Sequence, residues 1–125
     1  MILDTNGLSA VADGDAALAP ILRKAAEVAV PVIVLGEYRH GIQQSRDRQR
    51  YERWLTESIH NYRVLDVDEE TAISYATLRT ELKRAGTPIP SNDVWIAALC
   101  RQHSFPLLSR DRHFDLVGGI ERIDW

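Results

Sequence analysis

The chain has 125 residues, a length that fits one domain able to bury a core without disulfide or metal support. Hydrophobic residues make up 45% and charged residues 26%, as in an ordinary globular protein, and the net charge of −3 argues against indiscriminate binding of nucleic acid. Cys100 is the only cysteine, which excludes an internal disulfide. The longest apolar run, residues 28–35, is too short to span a membrane, and a strand-like segment directly after Met1 leaves no room for a signal peptide, so we expect a cytoplasmic protein.

Strand patterns and helix patterns alternate along the chain. We predict strands at residues 1–4, 28–30, 63–67, 105–108 and 120–125. We predict helices at residues 5–12, 16–27, 32–43, 48–59, 68–86 and 91–100, and a short helix at 113–117. Thr5 or Asn6 is expected to cap the first helix, and Ser91 the sixth. The alternation predicts an α/β fold with a mainly parallel sheet, in one domain over residues 1–125.

The segment from Pro88 to Cys100 predicts a loop that opens into a buried helix. Its two prolines prevent an ordinary helix before Ser91, and residues 94–100 are apolar on every face. Asp93 falls in the first turn, where an aspartate often does no more than stabilise the helix dipole. The alternative is that Asp93 lines a pocket beside a cation, because a buried ionised carboxylate is costly unless it is paired or bound to metal.

Four acids occupy positions that solubility does not require. Asp4 and Asp111 end two predicted strands, Asp93 opens the buried helix, and Glu37 shares a helix face with Gly41. Ligands of open α/β sheets bind beyond the carboxyl ends of the strands. If the acids meet there, cations or protons must relieve their repulsion. Oxygen ligands alone suit Mg²⁺ or Mn²⁺, and such an ion suits phosphodiester hydrolysis by an activated water.

Four segments together resemble the PIN-domain nucleases and, among them, the VapC-type toxins of bacterial toxin–antitoxin pairs. They are residues 3–6, Glu37 with Gly41, residues 92–98 and residues 108–114. The resemblance covers nearly the whole chain, including the closing Asp124 and Trp125. It implies a three-layer α/β/α fold with a small, mainly parallel sheet, and a metal-dependent endoribonuclease that uses Mg²⁺, with Mn²⁺ able to substitute.

The resemblance also implies roles for particular residues. It assigns catalysis and metal binding to Asp4, Glu37, Asp93 and Asp111. The polar position near the fourth acid is Ser109, which keeps the hydroxyl of the family's more frequent threonine. Asn6 is expected to orient the site through hydrogen bonds.

Residues 39–63 carry an arginine-rich surface and an apolar stripe, and each has both a functional and a purely structural interpretation. Six arginines and only three acidic residues occur in this segment. Arginine suits phosphate contacts, so this could be the surface that RNA approaches. The alternative is a solvated helix face. The candidate RNA contacts are Arg39, Arg46, Arg50 and Arg53. An apolar stripe at helical spacing could receive an antitoxin or pack into the core. It consists of Tyr51, Trp54, Leu55 and Ile59.

The resemblance implies two partners, an RNA substrate and a small VapB-like antitoxin. It also implies a homodimer and a toxin–antitoxin hetero-oligomer, and no association with a membrane. The alternative function is a catalytically inactive PIN-like module that binds RNA or protein. A phosphoacceptor receiver is disfavoured, because the N-terminal acid is single and both Lys24 and Lys83 fall on predicted helices. The four histidines are interpreted as ordinary surface or supporting residues.

Overall fold

The computed structural model describes all residues 1–125. Six helices, α1 to α6, span Thr5–Ala12, Ala19–Lys24, Val32–Gln43, Arg48–Ser58, Glu69–Arg84 and Ser91–His103. Five short strands, β1 to β5, span Ile2–Leu3, Ala29–Pro31, Arg63–Leu65, Leu107–Leu108 and Arg122–Ile123. Two 3₁₀ turns lie at Ile59–Asn61 and Arg112–Leu116. None of the helices has the length and apolar character needed to cross a bilayer.

The strands form one parallel sheet in the order β3-β2-β1-β4-β5. Ile2 pairs with Ala29 on one side of β1 and with Leu107 on the other. The central strands are continuously apolar rather than alternating, because helices cover both faces of the sheet. The predicted α/β fold with a parallel sheet flanked by helices is therefore confirmed.

The sheet order creates a switch point at β1. The chain first adds β2 and β3 on one side of β1 and then crosses to add β4 and β5 on the other. The carboxyl ends of β1 and β4 therefore lie side by side, with the first turn of α1 beside them. Such a switch point is where open α/β sheets bind ligands.

Helix α6 forms much of the core. Its buried residues are Val94 and residues 96–100. Trp95 is the exception to the predicted burial on every face, since it is half-buried and stacks on Tyr75 of α5, with the ring centroids 3.9 Å apart. The helix therefore has one side turned away from the sheet.

Several predicted boundaries and caps are wrong. Helix α2 is six residues long, because the Asp15 side chain holds a turn before it and Ala25 is extended after it. Asp4, and neither Thr5 nor Asn6, caps α1. Ser91 lies inside α6, whose first turn follows Pro90 with no side-chain cap.

Candidate active site

Asp4 lies directly after β1 and is 4% exposed. Its Oδ1 accepts the backbone N–H of Gly7 at 2.7 Å, and its Oδ2 accepts the hydroxyl of Ser109. The same Ser109 oxygen accepts the backbone N–H of Asp111 at 3.0 Å. Burial raises the pKa of Asp4, while the hydrogen bonds from Ser109 and Gly7 oppose that rise. Ser109 thus links the ends of β1 and β4, and its predicted place beside the acids agrees with the geometry.

Asp93 and Asp111 approach each other through His113. The Nε2 atom of His113 is 2.8 Å from Asp93 Oδ2, and its Nδ1 atom is 2.9 Å from Asp111 Oδ1. One ligating atom from each of the three residues lies within 4.8 Å of the others. His113 therefore lies between the two acids at ion-pair distance from each, although its Nε2 atom makes no hydrogen bond.

The sequence favours ordinary surface or supporting roles for all four histidines and does not single out His113, which the structure places between two acids. Asp111 caps the 3₁₀ turn by accepting the backbone N–H of His113 at 3.3 Å, and this turn directs the imidazole back towards α6. The available signal was the separation of two residues from Asp111 within a segment that resembles the family. That separation does not indicate where Asp93 lies.

Glu37 completes the acidic cluster, which we define as Asp4, Glu37, Asp93 and Asp111. Burial raises the pKa of Asp93, His113 opposes that rise, and the negative charges of Asp111 and Glu37 add to it. The charge of Asp111 likewise raises the pKa of Asp4. The Oε1 atom of Glu37 is buried without a hydrogen-bond partner. Asp93 is therefore close enough to Asp111 and Glu37, and Asp4 is close enough to Asp111, for their charges to interact.

Two further observations concern the residues around the cluster. Asn6 is exposed and its side chain forms no hydrogen bond, so its expected orienting role is not supported; Ser109 and Gly7 hold Asp4 instead. Arg122 of β5 was not identified from sequence. It donates to the carbonyl oxygen of Ser109 at 3.0 Å and makes two bonds to Asp115, at 2.8 and 3.0 Å. These partners lie 7 and 13 residues from Arg122, at spacings that no local pattern indicates.

Three candidate RNA contacts lie together where α3 turns into α4. Arg46, Arg50 and Arg53 are exposed and line a polar surface groove, here called the arginine groove. Arg50 lies 3.5 Å from Asp47, a solvent-exposed pair that holds it only weakly. Arg39 is also exposed, on α3, but it does not line this groove.

The apolar stripe on α4 divides between core and surface. Leu55 is 1% exposed, as the core interpretation of the stripe predicts. Tyr51, Trp54 and Ile59 are half-buried against the core. The Trp54 ring meets Tyr38 edge to face with centroids 6.2 Å apart, so part of its surface is also used within the chain.

The fold and the acidic cluster define the class of the protein. The family model of the PIN domain matches residues 1–120, and the chain belongs to that family. The chain is similar to Ribonuclease VapC5 of Mycobacterium tuberculosis, with 31% identity over 98% of this chain and 91% of the relative. It is 27% identical to the tRNA(fMet)-specific endonuclease VapC of Shigella flexneri, over 79% of this chain and 76% of the relative.

Solved structures agree with these relatives. A chain of the DNA-bound VapBC crystal structure from Salmonella typhimurium matches with a TM-score of 0.88 and 26% identity, over 99% of this chain and 96% of that one. A chain of VapBC-5 from Mycobacterium tuberculosis matches with a TM-score of 0.77 and 30% identity, over 99% and 97%. The predicted membership of the PIN family, with similarity to VapC, is confirmed.

Proposed function

We propose that this chain is a metal-dependent endoribonuclease that acts as the toxin of a VapBC-type toxin–antitoxin pair. The observation that carries the proposal is the linkage of three aspartates beyond the ends of β1 and β4, through Ser109 and His113, with the charge of Glu37 acting on Asp93. Curated relatives that are named ribonuclease or endonuclease VapC support the same activity. We further propose that residues 1–125 form a single PIN domain.

The acidic cluster suits a hard divalent cation. Its ligating atoms are carboxylate oxygens, which Mg²⁺ and Mn²⁺ prefer. Glu37 Oε1 is buried without a partner and is therefore free to enter such a shell, and a cation would relieve the repulsion among the acids. When bound, Mg²⁺, or Mn²⁺ in its place, would activate a water nucleophile and neutralise charge on the phosphate.

The protein's own residues orient the cluster and receive the RNA. Ser109 and the N–H of Gly7 hold Asp4, while His113 lies between Asp93 and Asp111. The proposed RNA contacts are outside the cluster, because carboxylates repel a phosphate backbone whereas guanidinium groups match it. They are Arg39, Arg46, Arg50 and Arg53.

The test is cleavage of a labelled RNA in Mg²⁺, in Mn²⁺ and in excess EDTA. We expect cleavage with either metal and none with EDTA. Asp93→Asn removes a charge with little change in shape and is expected to lower kcat/KM by about 100-fold or more. The matched control is Asp66→Asn, which changes an exposed aspartate without hydrogen bonds and should cleave like the wild type. Cleavage that persists in EDTA would contradict the metal mechanism.

The same variant has an expected effect on stability. Burial, the main cause, raises the pKa of Asp93, so its charged form opposes folding at pH values above that pKa. Asp93→Asn should therefore raise the melting temperature at pH 7 in EDTA by up to about 3 °C. If Asp93→Asn is folded but does not cleave RNA, the loss of activity is due to the missing carboxylate and not to unfolding. A wild type that binds RNA but never cleaves it would favour the inactive binding module.

We also propose a small VapB-like antitoxin as partner, within a hetero-oligomer in which the toxin forms a homodimer. The support is the likeness to chains solved in VapBC complexes. Tyr51, Trp54 and Ile59 are the proposed apolar contacts. An arginine presented by the antitoxin would suit the acidic cluster, because its planar fork matches a carboxylate and keeps its charge.

A further inference from the structure

A cavity of about 210 Å³ opens beside the acidic cluster, between α1 and α3. Thr5, Ser9 and Asp13 line one wall at a spacing of four residues, which puts them on one face of α1. Glu37 and Gly41, again four residues apart, line the opposite wall on α3. We call this cavity the α1–α3 pocket. It shares Glu37 with the acidic cluster but none of the three aspartates.

The α1–α3 pocket collects polar atoms that lack partners. Five side-chain polar atoms in the molecule are buried without a hydrogen bond, and three of them belong to residues that line this pocket: Thr5 Oγ1, Glu37 Oε1 and Tyr38 OH. Tyr38 is only 4% exposed. Buried polar groups in folded proteins are normally paired, because an unpaired group costs its desolvation energy. The pocket therefore points to a ligand that brings hydrogen-bonding groups of its own.

The residues that line the α1–α3 pocket indicate which kind of ligand it can bind. No lysine, arginine or histidine lines the pocket, whereas the carboxylates of Asp13 and Glu37 do, so a phosphate is disfavoured and an N–H donor is favoured. Ile42 and the ring of Tyr38 supply apolar surface. Proteins read unpaired RNA bases by this combination of aromatic contact and hydrogen bonds to the base edge. The volume suits one ring system and not a longer stretch of chain.

The residues at the rim of the pocket are suited to the sugar and phosphate of a nucleotide whose base lies inside. Tyr51 closes the pocket from α4, donating its hydroxyl to Asp13 Oδ1 at 2.7 Å. The guanidinium of Arg50 lies 4.8 Å from the centre of the Tyr51 ring, at the side of the arginine groove. A base inside the pocket would thus have a cation near its backbone on one side and the acidic cluster, through Glu37, on the other.

We propose that the α1–α3 pocket binds one nucleobase that carries an exocyclic amino group, beside the phosphodiester that is cut, and that it sets the sequence preference of cleavage. This inference rests on the proposed ribonuclease function. Thr5, Glu37 and Tyr38 supply the hydrogen bonds. Uracil has a ring N–H but no amino group, so it offers fewer donors to the carboxylates and is discriminated against.

Gly41 offers a direct way to block the pocket. A Cβ atom at Gly41 would meet no other atom within 4 Å, and Gly41 lines the pocket. Gly36, on the same helix, also has open space for a Cβ but does not line the pocket. Gly41→Leu and Gly36→Leu both improve helix propensity, so both should fold, and only the first fills the pocket.

The first experiment maps cleavage of a randomised RNA by sequencing the products. The wild type is expected to prefer adenine, cytosine or guanine at one position next to the cut bond. Gly41→Leu should lower kcat/KM on the preferred sequence by about tenfold or more and erase the preference, while Gly36→Leu retains both. A preference that survives in Gly41→Leu, or a wild type that cuts without preference at the flanking positions, would overturn the proposal.

The second experiment needs no cleavage and separates this inference from the nuclease proposal. Adenosine, cytidine, guanosine and uridine are titrated in EDTA, and NMR signals of Thr5 and Tyr38 are followed. We expect shifts with at least one amino-bearing nucleoside, weaker shifts with uridine, and none in Gly41→Leu. Equal shifts with uridine contradict the proposal. If Gly41→Leu instead weakens capture of the antitoxin and leaves the RNA preference intact, the pocket belongs to the protein partner and the proposal is overturned.

Discussion

Ser109 shows how one small side chain organises the candidate active site. Its hydroxyl donates to Asp4 and accepts from the backbone of Asp111, so two acids from opposite ends of the chain share one oxygen. Arg122 holds the carbonyl group of the same residue. Since Ser109 is fully buried, no water can readily replace these contacts.

Removal of this hydroxyl is expected to weaken metal use rather than folding. Ser109→Ala should raise the Mg²⁺ concentration needed for half-maximal cleavage by about 10- to 100-fold, because outer hydrogen bonds orient the metal ligands. Ser109→Thr keeps a hydroxyl and should restore most of the activity. The measurement is a Mg²⁺ titration of RNA cleavage for the three proteins. Equal metal requirements in the alanine variant and the wild type would show that Asp4 needs no such support.

Helix α5 is joined to α6 at its first turn. Asp68 Oδ1 accepts the backbone N–H of Thr71 at 3.0 Å, and Thr71 Oγ1 accepts the backbone N–H of Asp68 at 3.1 Å, which completes a capping box. Gln102 of α6 also donates to Asp68, at 3.1 Å. This junction fixes the start of α5 against the helix that carries Asp93.

The capping box gives an expectation for stability against pH. The N–H of Thr71 is the main cause that lowers the pKa of Asp68, so the ionised form is favoured in the folded state. Its contribution is present above the pKa of the unfolded chain and is lost as pH falls through the folded pKa. Asp68→Ala should lower the melting temperature by about 3–6 °C at pH 7, and the difference should shrink towards about pH 3.

The control for the capping box is Asp66→Ala, which changes an exposed aspartate in the loop before α5 that forms no hydrogen bond. Thermal melts of the three proteins across the pH range provide the measurement. If Asp68→Ala and Asp66→Ala melt alike at pH 7, the capping box does not stabilise the folded state.

At the scale of the whole molecule, the chain separates its charges. The acidic cluster lies beyond the carboxyl ends of the strands, while the arginine groove lies at the turn from α3 to α4. The α1–α3 pocket lies between α1 and α3, and Tyr51 of α4 closes it. An RNA that crosses all three would place its backbone on arginine and one phosphodiester at the acids.

Charge reversal in the arginine groove tests this path. Arg53→Glu should lower kcat/KM for RNA by about tenfold at low salt, and less at high salt, because exposed charges are screened. Arg84→Glu changes an exposed arginine at the end of α5 that forms no ion pair and is the control. A VapB-like antitoxin is to be co-expressed with each variant, and its capture by each variant is to be measured. If Arg53→Glu impairs capture more than cleavage, the groove serves the antitoxin.

The sequence by itself determined the class of fold, and it singled out the four acids that we propose as the active site. Alternating apolar strands and helical segments predicted the α/β architecture, because burial demands those periods locally. Neighbouring residues in the sequence define the local position of each acid. These positions are strand ends for Asp4 and Asp111, a helix face shared with Gly41 for Glu37, and a first helical turn for Asp93. These residues resemble the family in the right order, and their positions in the structure agree with that resemblance.

Only the tertiary structure decided which groups meet. The strand order β3-β2-β1-β4-β5 brings Ser109 to Asp4, and the turn after β4 brings His113 to Asp93. It also decided that Leu55 is buried and that Asn6 is exposed. The physical reason is that local patterns report which face of an element is apolar, whereas burial and hydrogen bonding of a particular side chain depend on residues distant in sequence that share its space.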